Sequence, residues 1–457
     1  MNSFYFVLGR ENKISQKEVE SVLANFGVYL SEAKTPRSPV KLGRAKLGEV
    51  GSEEDLPYSF SILNDEVLEI KSDFFDDEIL KKLIEILGGT IKIFRRVSDK
   101  TDQIAEILQS AEEKKLTFGI SNYSKKVLNT FHFGLSIKKQ FKNKKSLRII
   151  PPKDGDRLSS AQSFQYELDK TGLEFGIFNS GIGQLAAVQN INFWSEIDYG
   201  KPRADARAGM LPPKLARAMV NIALGQVSPT KLQIKRNYEI TNNPIEFRNS
   251  DLEIRNYNNE VVVVDPFCGS GNILMQAVVL GFSVLGVDIS GKAVDNSRAN
   301  LDWLIQKSKI KNPCLAGRQE NDNVKFKIIQ SDSTKFNFNE IDRDYIIVTE
   351  PNLGKPRREK FSQVEAEVEA ENISRLYKKF FENLAKTKKQ PKVVCMVFPL
   401  LEMKNGKKLS IFSRLLDFFE NLGYIISYPP LKYGRADQFV KREIVCLWQK
   451  DTRNKIQ

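Results

Sequence analysis

The sequence predicts an α/β chain that ends in a doubly wound, mostly parallel sheet with an antiparallel edge strand. Three features point there. From residue 261 onward apolar strand patterns alternate with helical ones; the most apolar strand, VVVVD at 261–265, runs into a glycine turn at Cys268-Gly269-Ser270-Gly271; and the last two strand patterns follow each other with no helix between. Strands separated by helices pair parallel through crossovers, whereas consecutive strands can pair antiparallel.

At roughly 100–200 residues per domain, a chain of 457 residues holds more than one core. The opening reads as a strand at 4–8, a helix starting at Ser15-Gln16-Lys17-Glu18 with Val19, Val22 and Leu23 on its apolar face, and an exposed loop over 34–55. A strand at 66–70, a helix carrying Ile79, Leu80, Leu83, Ile84 and Leu87, and a strand at 90–94 after Gly88-Gly89 complete a small α/β domain over 1–95. A second domain over 96–195 is expected from a helix at 99–113, a strand at 116–121, a basic helix near 124–142, a strand at 146–150, a helix from Leu158 to Leu168, and strands at 173–178 and 184–191. Pro212-Pro213 opens the next helix, with Leu215, Met219 and Ile222 on its buried face, because proline suits a first helical turn.

The segment 196–225 therefore reads as a linker and helix, and the polar, weakly periodic 226–259 as an insertion within the last domain, 226–457. There, strands are expected at 261–265, 283–287, 325–330, 344–349, 392–398, 424–430 and 442–449, and helices at 272–280, 291–306, 361–386 and 409–421.

Seventy Lys and Arg against 57 Asp and Glu leave a net charge of +13, which favours a polyanionic partner, since each cation that meets a phosphate releases counterions. The cysteines (Cys268, Cys314, Cys395, Cys446) form no C-x-x-C pair and His132 is the one histidine, so neither a metal site nor a disulfide framework is expected. No apolar run approaches the roughly 18 residues of a membrane span, and the first residues lack a signal-peptide pattern. A cytoplasmic protein is expected.

The chemistry concentrates at strand ends. In DPFCGSG, Gly269 and Gly271 let the backbone approach a ligand at a helix N-terminus. The third glycine of the dinucleotide fingerprint is missing, and Asp265 would repel a diphosphate while tolerating the cationic sulfonium and ammonium of S-adenosyl-L-methionine. Asp288, about 20 residues on, ends the next strand where an acid reaches ribose hydroxyls, with Ile289 beside it. Asp332-Ser333 ends another, where the acid could accept from an adenine amine; a loop or helix-cap role is the alternative for each of these acids. Finally, Glu350-Pro351-Asn352-Leu353 follows the strand 344–349. A carboxylate and the carbonyl preceding a proline can accept the hydrogens of an exocyclic amine and orient its lone pair, with Asn352 and Leu353 lining the pocket. A plain Glu-Pro turn is the alternative.

These segments, with FYFVLGRE, EVESVL, LTFGIS, LSSAQ at 158–162, AAVQNINFW at 186–194 and GMLPPKLARAMVNIAL at 209–224, give the chain a resemblance to THUMP-containing RNA methyltransferases, especially the tRNA guanosine-10 N2-methyltransferases. The resemblance implies a ferredoxin-like domain, a THUMP domain that grips tRNA, and a C-terminal Rossmann-like methyltransferase using S-adenosyl-L-methionine. It implies that Met210, Leu211, Pro212, Asp265, Phe267, Gly269, Gly271, Asp288, Ile289, Asp332 and Ser333 border the cofactor. Where the family usually has Asp-Pro-Pro-Tyr, this chain has Glu350-Pro351-Asn352-Leu353, so the pocket is either rebuilt or weakened. Lys138, Lys139, Lys142, Lys144, Lys145 and Arg148 in the THUMP-like region, and Lys355, Arg357 and Arg358 after the turn, are candidate RNA contacts, with solvated faces as the bland reading. Methylation of an amine in another RNA or in DNA, and a non-catalytic RNA-binding protein with a degenerate methyltransferase domain, are the rival readings; a dehydrogenase is more distant.

Overall fold

The computed structural model of the protein describes residues 1–33, 58–126, 128–142, 144–203, 210–227, 233–236, 252–255, 261–311, 326–354, 357–435 and 437–449. The loop expected at 34–55 lies outside the described residues, as does Lys355. The chain divides into two compact units, Met1–Val19 with Ala33–Ser195 and Glu20–Glu32 with Glu196–Gln457.

In chain order the first part holds β1 (Asn2–Leu8), α1 (Asn12–Ala33), β2 (Tyr58–Asn64), β3 (Val67–Ser72), α2 (Asp77–Ile86), β4 (Thr90–Ser98), α3 (Gln103–Ser110), β5 (Lys115–Asn122), α4 (Thr130–Gln140), β6 (Ser146–Ile150), α5 (Ser160–Gln165), β7 (Leu173–Phe178) and β8 (Gly181–Val188). All eight strands join one sheet, in the order β2-β3-β1-β4-β8-β7-β5-β6. The boundary expected at 95/96 runs through this sheet, because β4 extends to Ser98 and pairs antiparallel with β8. A strand at 58–64 adds to the expected elements, and short helices at Gln103–Ser110, Thr130–Gln140 and Ser160–Gln165 replace the longer helical readings. Short apolar periods on a basic background overstate a helix when its flanks are turns.

The sheet buries one ion pair completely. Lys92 Nζ donates to Glu174 Oε1 (2.5 Å) and to the Leu158 carbonyl (2.8 Å), while Ser121 donates to Oε1 (2.6 Å) and Ser163 to Oε2 (2.5 Å). Burial pulls the Lys92 ammonium down and Glu174 opposes this. With both ions hydrogen-bonded, the buried pair specifies the packing of the segment around Leu158 and Ser163. The LSSAQ segment is thus a structural clasp, with Ser159 and Gln162 forming the capping box of α5.

The second unit continues with α6 (Ile191–Tyr199), α7 (Pro213–Gln226), β9 (Gln233–Arg236), β10 (Leu252–Arg255), β11 (Val261–Asp265), α8 (Asn272–Val279), β12 (Ser283–Asp288), α9 (Gly291–Lys311), β13 (Phe326–Gln330), β14 (Asp344–Thr349), α10 (Gln363–Ala385), β15 (Val394–Glu402), β16 (Lys408–Ser410), two short helices at Ile411–Arg414 and Leu416–Asn421, β17 (Tyr424–Ile426), β18 (Leu431–Tyr433) and β19 (Val440–Gln449). Helix α6 begins just before the division between the units. Within 226–259 the described residues include one antiparallel strand pair, β9 with β10.

The main sheet runs β13-β12-β11-β14-β15-β19-β17. Strands β13 to β15 are parallel, and β19 lies antiparallel between β15 and β17. The antiparallel edge expected at the end of the chain is therefore built around the last strand, inserted inside β17. Its run EIVCLW is long and apolar enough to be buried on both faces, whereas three-residue β17 is not. Alternate residues Val264, Ile347, Met396, Val445 and Leu447 pack with Tyr377, Phe380, Phe381, Phe398 and Phe419 in one aromatic-rich core. Their buried neighbours Val263, Ile346, Val348, Cys395 and Val397 point the other way, the face on which α7 meets β14 and β15. Helices on both faces make the sheet doubly wound.

Candidate active site

The chain leaves β11 on one side, builds β12 and β13, then returns to place β14 on the other side of β11. That reversal lies at the carboxyl ends of β11 and β14, the position where open α/β sheets take ligands. Asp265 ends β11, Asp288 ends β12, and Glu350 follows β14 directly.

The glycine turn is held from below and open above. Gly269 has φ 51° and Gly271 φ 84°, both left-handed. A methyl group at Gly271 would come within 2.5 Å of Ser297 Oγ on α9, while one at Gly269 would meet nothing within 4 Å. Asp288 accepts from the Gly269 amide through Oδ2 (2.9 Å) and from the Ser290 amide through Oδ1 (2.9 Å), so it braces the turn. Asp265 is buried and accepts from Thr349 Oγ1 (2.6 Å) and the Phe267 amide (3.1 Å). Burial pushes its carboxyl up to about 7, against those two hydrogen bonds, with Asp288 and Glu350 adding repulsion. Burial also pushes the Cys268 thiol up, so it is no nucleophile.

The segment before α7 flanks this turn. Ser270 Oγ donates to Met210 Sδ (3.4 Å), and Asn272 Nδ2 donates to the Leu211 carbonyl (2.8 Å) while its Oδ1 accepts from Lys201 (2.6 Å). Pro212 caps α7. Asn300, buried in α9, donates to the carbonyls of Ser270 (2.9 Å) and Arg203 (3.0 Å). Thr349, Asn272 and Asn300 were not singled out from sequence; their signal is a small polar residue at a position where the pattern demands an apolar one.

The other expected cofactor residues differ in availability. Ile289 is 70% exposed, an unusual state for isoleucine beside a strand end. Phe267 lies half-buried with its ring edge-on to Phe380 at 5.3 Å. Asp332 folds back on Thr334, accepting from its amide (2.9 Å) and hydroxyl (2.7 Å), which holds the carboxyl below its usual range. Ser333 is buried and donates to the Pro266 carbonyl, so it anchors the turn from behind.

At the end of β14, Glu350 pairs with Arg442 of β19: Nε lies 2.5 Å from Oε1 and Nη2 3.4 Å from Oε2. Burial raises the Glu350 carboxyl and Arg442 opposes it. Pro351 is buried, Asn352 is exposed with its carbonyl accepting from Tyr377 (3.0 Å), and Leu353 is half-buried.

The basic residues separate into two kinds. Lys138, Lys139, Lys142, Lys144 and Arg148 are exposed at the end of α4 and along β6. Lys145 instead donates to the carbonyls of Leu108 (2.9 Å) and Ala111 (2.5 Å), closing α3, and Arg148 also lies over the Tyr166 ring. Arg357 is committed to Glu365 (2.9 Å) and to the face of Phe361, whereas Arg358 is exposed. Among the described residues no cluster of His, Cys, Asp and Glu could hold a metal ion, and no helix is long and apolar enough to cross a membrane.

No protein-family model matches the chain. The chain is 28% identical over 137 residues to the tRNA (guanine(10)-N2)-dimethyltransferase of Methanothermobacter thermautotrophicus, a match covering 30% of this chain and 32% of that protein. Among solved structures it is similar to a provisionally assigned RNA methyltransferase from Pyrococcus horikoshii (18% identity, 41% of this chain and 74% of that one, TM-score 0.26). A second is the magnesium protoporphyrin IX methyltransferase of Synechocystis PCC 6803 with bound S-adenosylhomocysteine (11% identity, 57% and 93%, TM-score 0.33). TM-scores of this size do not establish a shared fold.

Proposed function

We propose that this protein is an S-adenosyl-L-methionine-dependent methyltransferase acting on an exocyclic amine of RNA, with N2 of a guanine in tRNA, at position 10, as the target. The observation that carries the reading is the open glycine turn at the reversal of the sheet, ringed by Asp265, Asp288 and Glu350. Asp288 beside the Gly269 amide, with the acids Asp265 and Glu350 near it, disfavours a diphosphate at this turn. The open space over Gly269 admits a ligand against the backbone, the carboxylate of Asp288 lies beside it, and exposed Ile289 offers an apolar surface for a flat ring. The bound cofactor supplies an already electrophilic methyl group, which leaves the chain the task of orienting the acceptor. Glu350 and its carbonyl, held by Pro351, accept the amine hydrogens and present the lone pair. The match to the archaeal tRNA enzyme supports tRNA as substrate, and the net charge of +13 supports a polyanion.

The test is transfer of labelled methyl from S-adenosylmethionine into total tRNA from cells lacking the protein, followed by mass spectrometry of the nucleosides. Glu350→Ala should abolish incorporation and Glu402→Ala should not. Calorimetry should show S-adenosylhomocysteine binding and no NAD binding; the reverse result would replace the methyltransferase by a dehydrogenase. One observation favours a second reading, an RNA-binding protein with a degenerate catalytic domain: the carboxylate of Glu350 is engaged by Arg442, and the turn carries Leu353 in place of an aromatic. Measurable S-adenosylhomocysteine binding without label in any tRNA would select it.

A further inference from the structure

Arg442 reaches the site from the far side of the sheet. It sits on β19 opposite Pro399 of β15, so the antiparallel insertion of β19 carries a guanidinium to the carboxyl edge of the parallel strands. Both partners are shielded, with side-chain exposures of 7% for Arg442 and 14% for Glu350. Tyr433 of β18, opposite Arg442 in register, places its ring 5.6 Å from the guanidinium carbon, flanking it on one face. The contact is asymmetric: Nε holds Oε1 at 2.5 Å, whereas Nη2 approaches Oε2 at 3.4 Å, beyond a good hydrogen bond. A carboxylate has about four lone-pair sites, so anchoring one oxygen leaves the other able to accept.

We propose that Arg442 is the positioning residue of the amine-accepting pocket: it fixes Glu350 through Oε1 and aims Oε2 at an N–H of the substrate base. The inference rests on the amine-methyltransferase reading. It accounts for the longer acid at 350, because an unanchored glutamate has one more rotatable bond than an aspartate and would sample several directions, whereas the Nε–Oε1 contact with Arg442 selects one. Among the described residues, the charged and titratable groups coupled to Glu350 are Arg442 from β19, Asp265 from β11 and Tyr377 from α10, and of these three Arg442 favours the ionised acid.

The experiment compares wild type, Arg442→Lys and Arg442→Gln in label transfer to tRNA from pH 5 to 9, with calorimetry of S-adenosylhomocysteine on each. Arg442→Gln should lose kcat by about 100-fold with KM for tRNA and cofactor affinity within about threefold. Its acid limb should move to higher pH, because the buried acid loses the guanidinium charge that favours ionisation. Arg442→Lys should restore the acid limb and only part of kcat, since an ammonium keeps the charge and loses the directed Nε–Oε1 contact. An Arg442→Gln variant with an unmoved acid limb, or with its loss confined to KM or cofactor affinity, overturns the positioning role while the wild-type reaction stands. Failure of wild type to label tRNA overturns the function reading itself. Carbon-13 NMR of labelled Glu350, assigned with Glu350→Gln, reads the ion pair without turnover: a carboxyl titrating at the same pH in wild type and Arg442→Gln overturns it.

Discussion

Asp265 shows how one residue can be named from sequence and still surprise in its state. Its place at the end of an apolar strand before a glycine turn was legible; its neighbours Thr349 and Glu350, 84 and 85 positions on in sequence, were not. Burial raises its carboxyl to about 7. A raised acid stabilises the fold fully below its unfolded value near 4, and that contribution is lost as the pH rises through about 7. The stability of wild type relative to Asp265→Asn should therefore fall by up to roughly 1.4 kcal/mol per pH unit across that window, measured by urea unfolding at a series of pH values. A difference that stays flat would mean the acid is ionised throughout. Lys92 makes the opposite case: nothing in TIKIFRR marks it as fully buried, and its partner Glu174 comes from β7. Lys92→Met should lower unfolding stability by about 3–5 kcal/mol by stranding the carboxylate, and a loss below about 1 kcal/mol in denaturant titration would show the clasp to be dispensable.

Strands with β-branched runs and helices with clear punctuation were the legible elements. β6, β7, β11 and β14 span the residues that their sequence pattern predicts. Helix α10 is capped at its N-terminus by Ser362, whose side chain and that of Glu365 form a capping box. Missed or shifted were β2, whose exposed edge position needs little apolar content, and α3 and α5, whose ends are set by packing. At the glycine turn, sequence could not separate the two glycines, and the structure does. Gly271→Ala meets Ser297 and an unfavourable φ, so it should destabilise by about 2–3 kcal/mol. Gly269→Ala meets only the backbone term, about 1 kcal/mol, yet puts a methyl into the open space above the turn. It should weaken S-adenosylhomocysteine at least tenfold with thermal stability nearly intact; equal effects of the two variants in calorimetry and thermal melts would contradict this division.

For the whole molecule, the sign of the charge was plain and its allocation was not. Lys138 and Lys139 are exposed, while Lys145 is spent on the carbonyls that end α3. If the first unit holds RNA, Lys138→Ala with Lys139→Ala should reduce the slope of log affinity against log salt by about 0.7–0.9 for each phosphate no longer neutralised. Lys145→Ala should instead lower thermal stability and leave that slope alone. Filter binding of tRNA at several salt concentrations separates them, and a reduced slope for Lys145→Ala would return that lysine to the RNA surface.

Local pattern by itself determined the α/β class, the alternation around β11, the glycine turn and the acids that end the strands, because strand burial and turn geometry are written in neighbouring residues. Tertiary structure decided that β1 to β8 share one eight-stranded sheet and that β19 threads inside β17. It also decided that Arg442 meets Glu350 across 92 positions of sequence. Strand order depends on which apolar faces are buried together, and ion pairs on which strand ends are thereby brought to one edge; neither quantity is local.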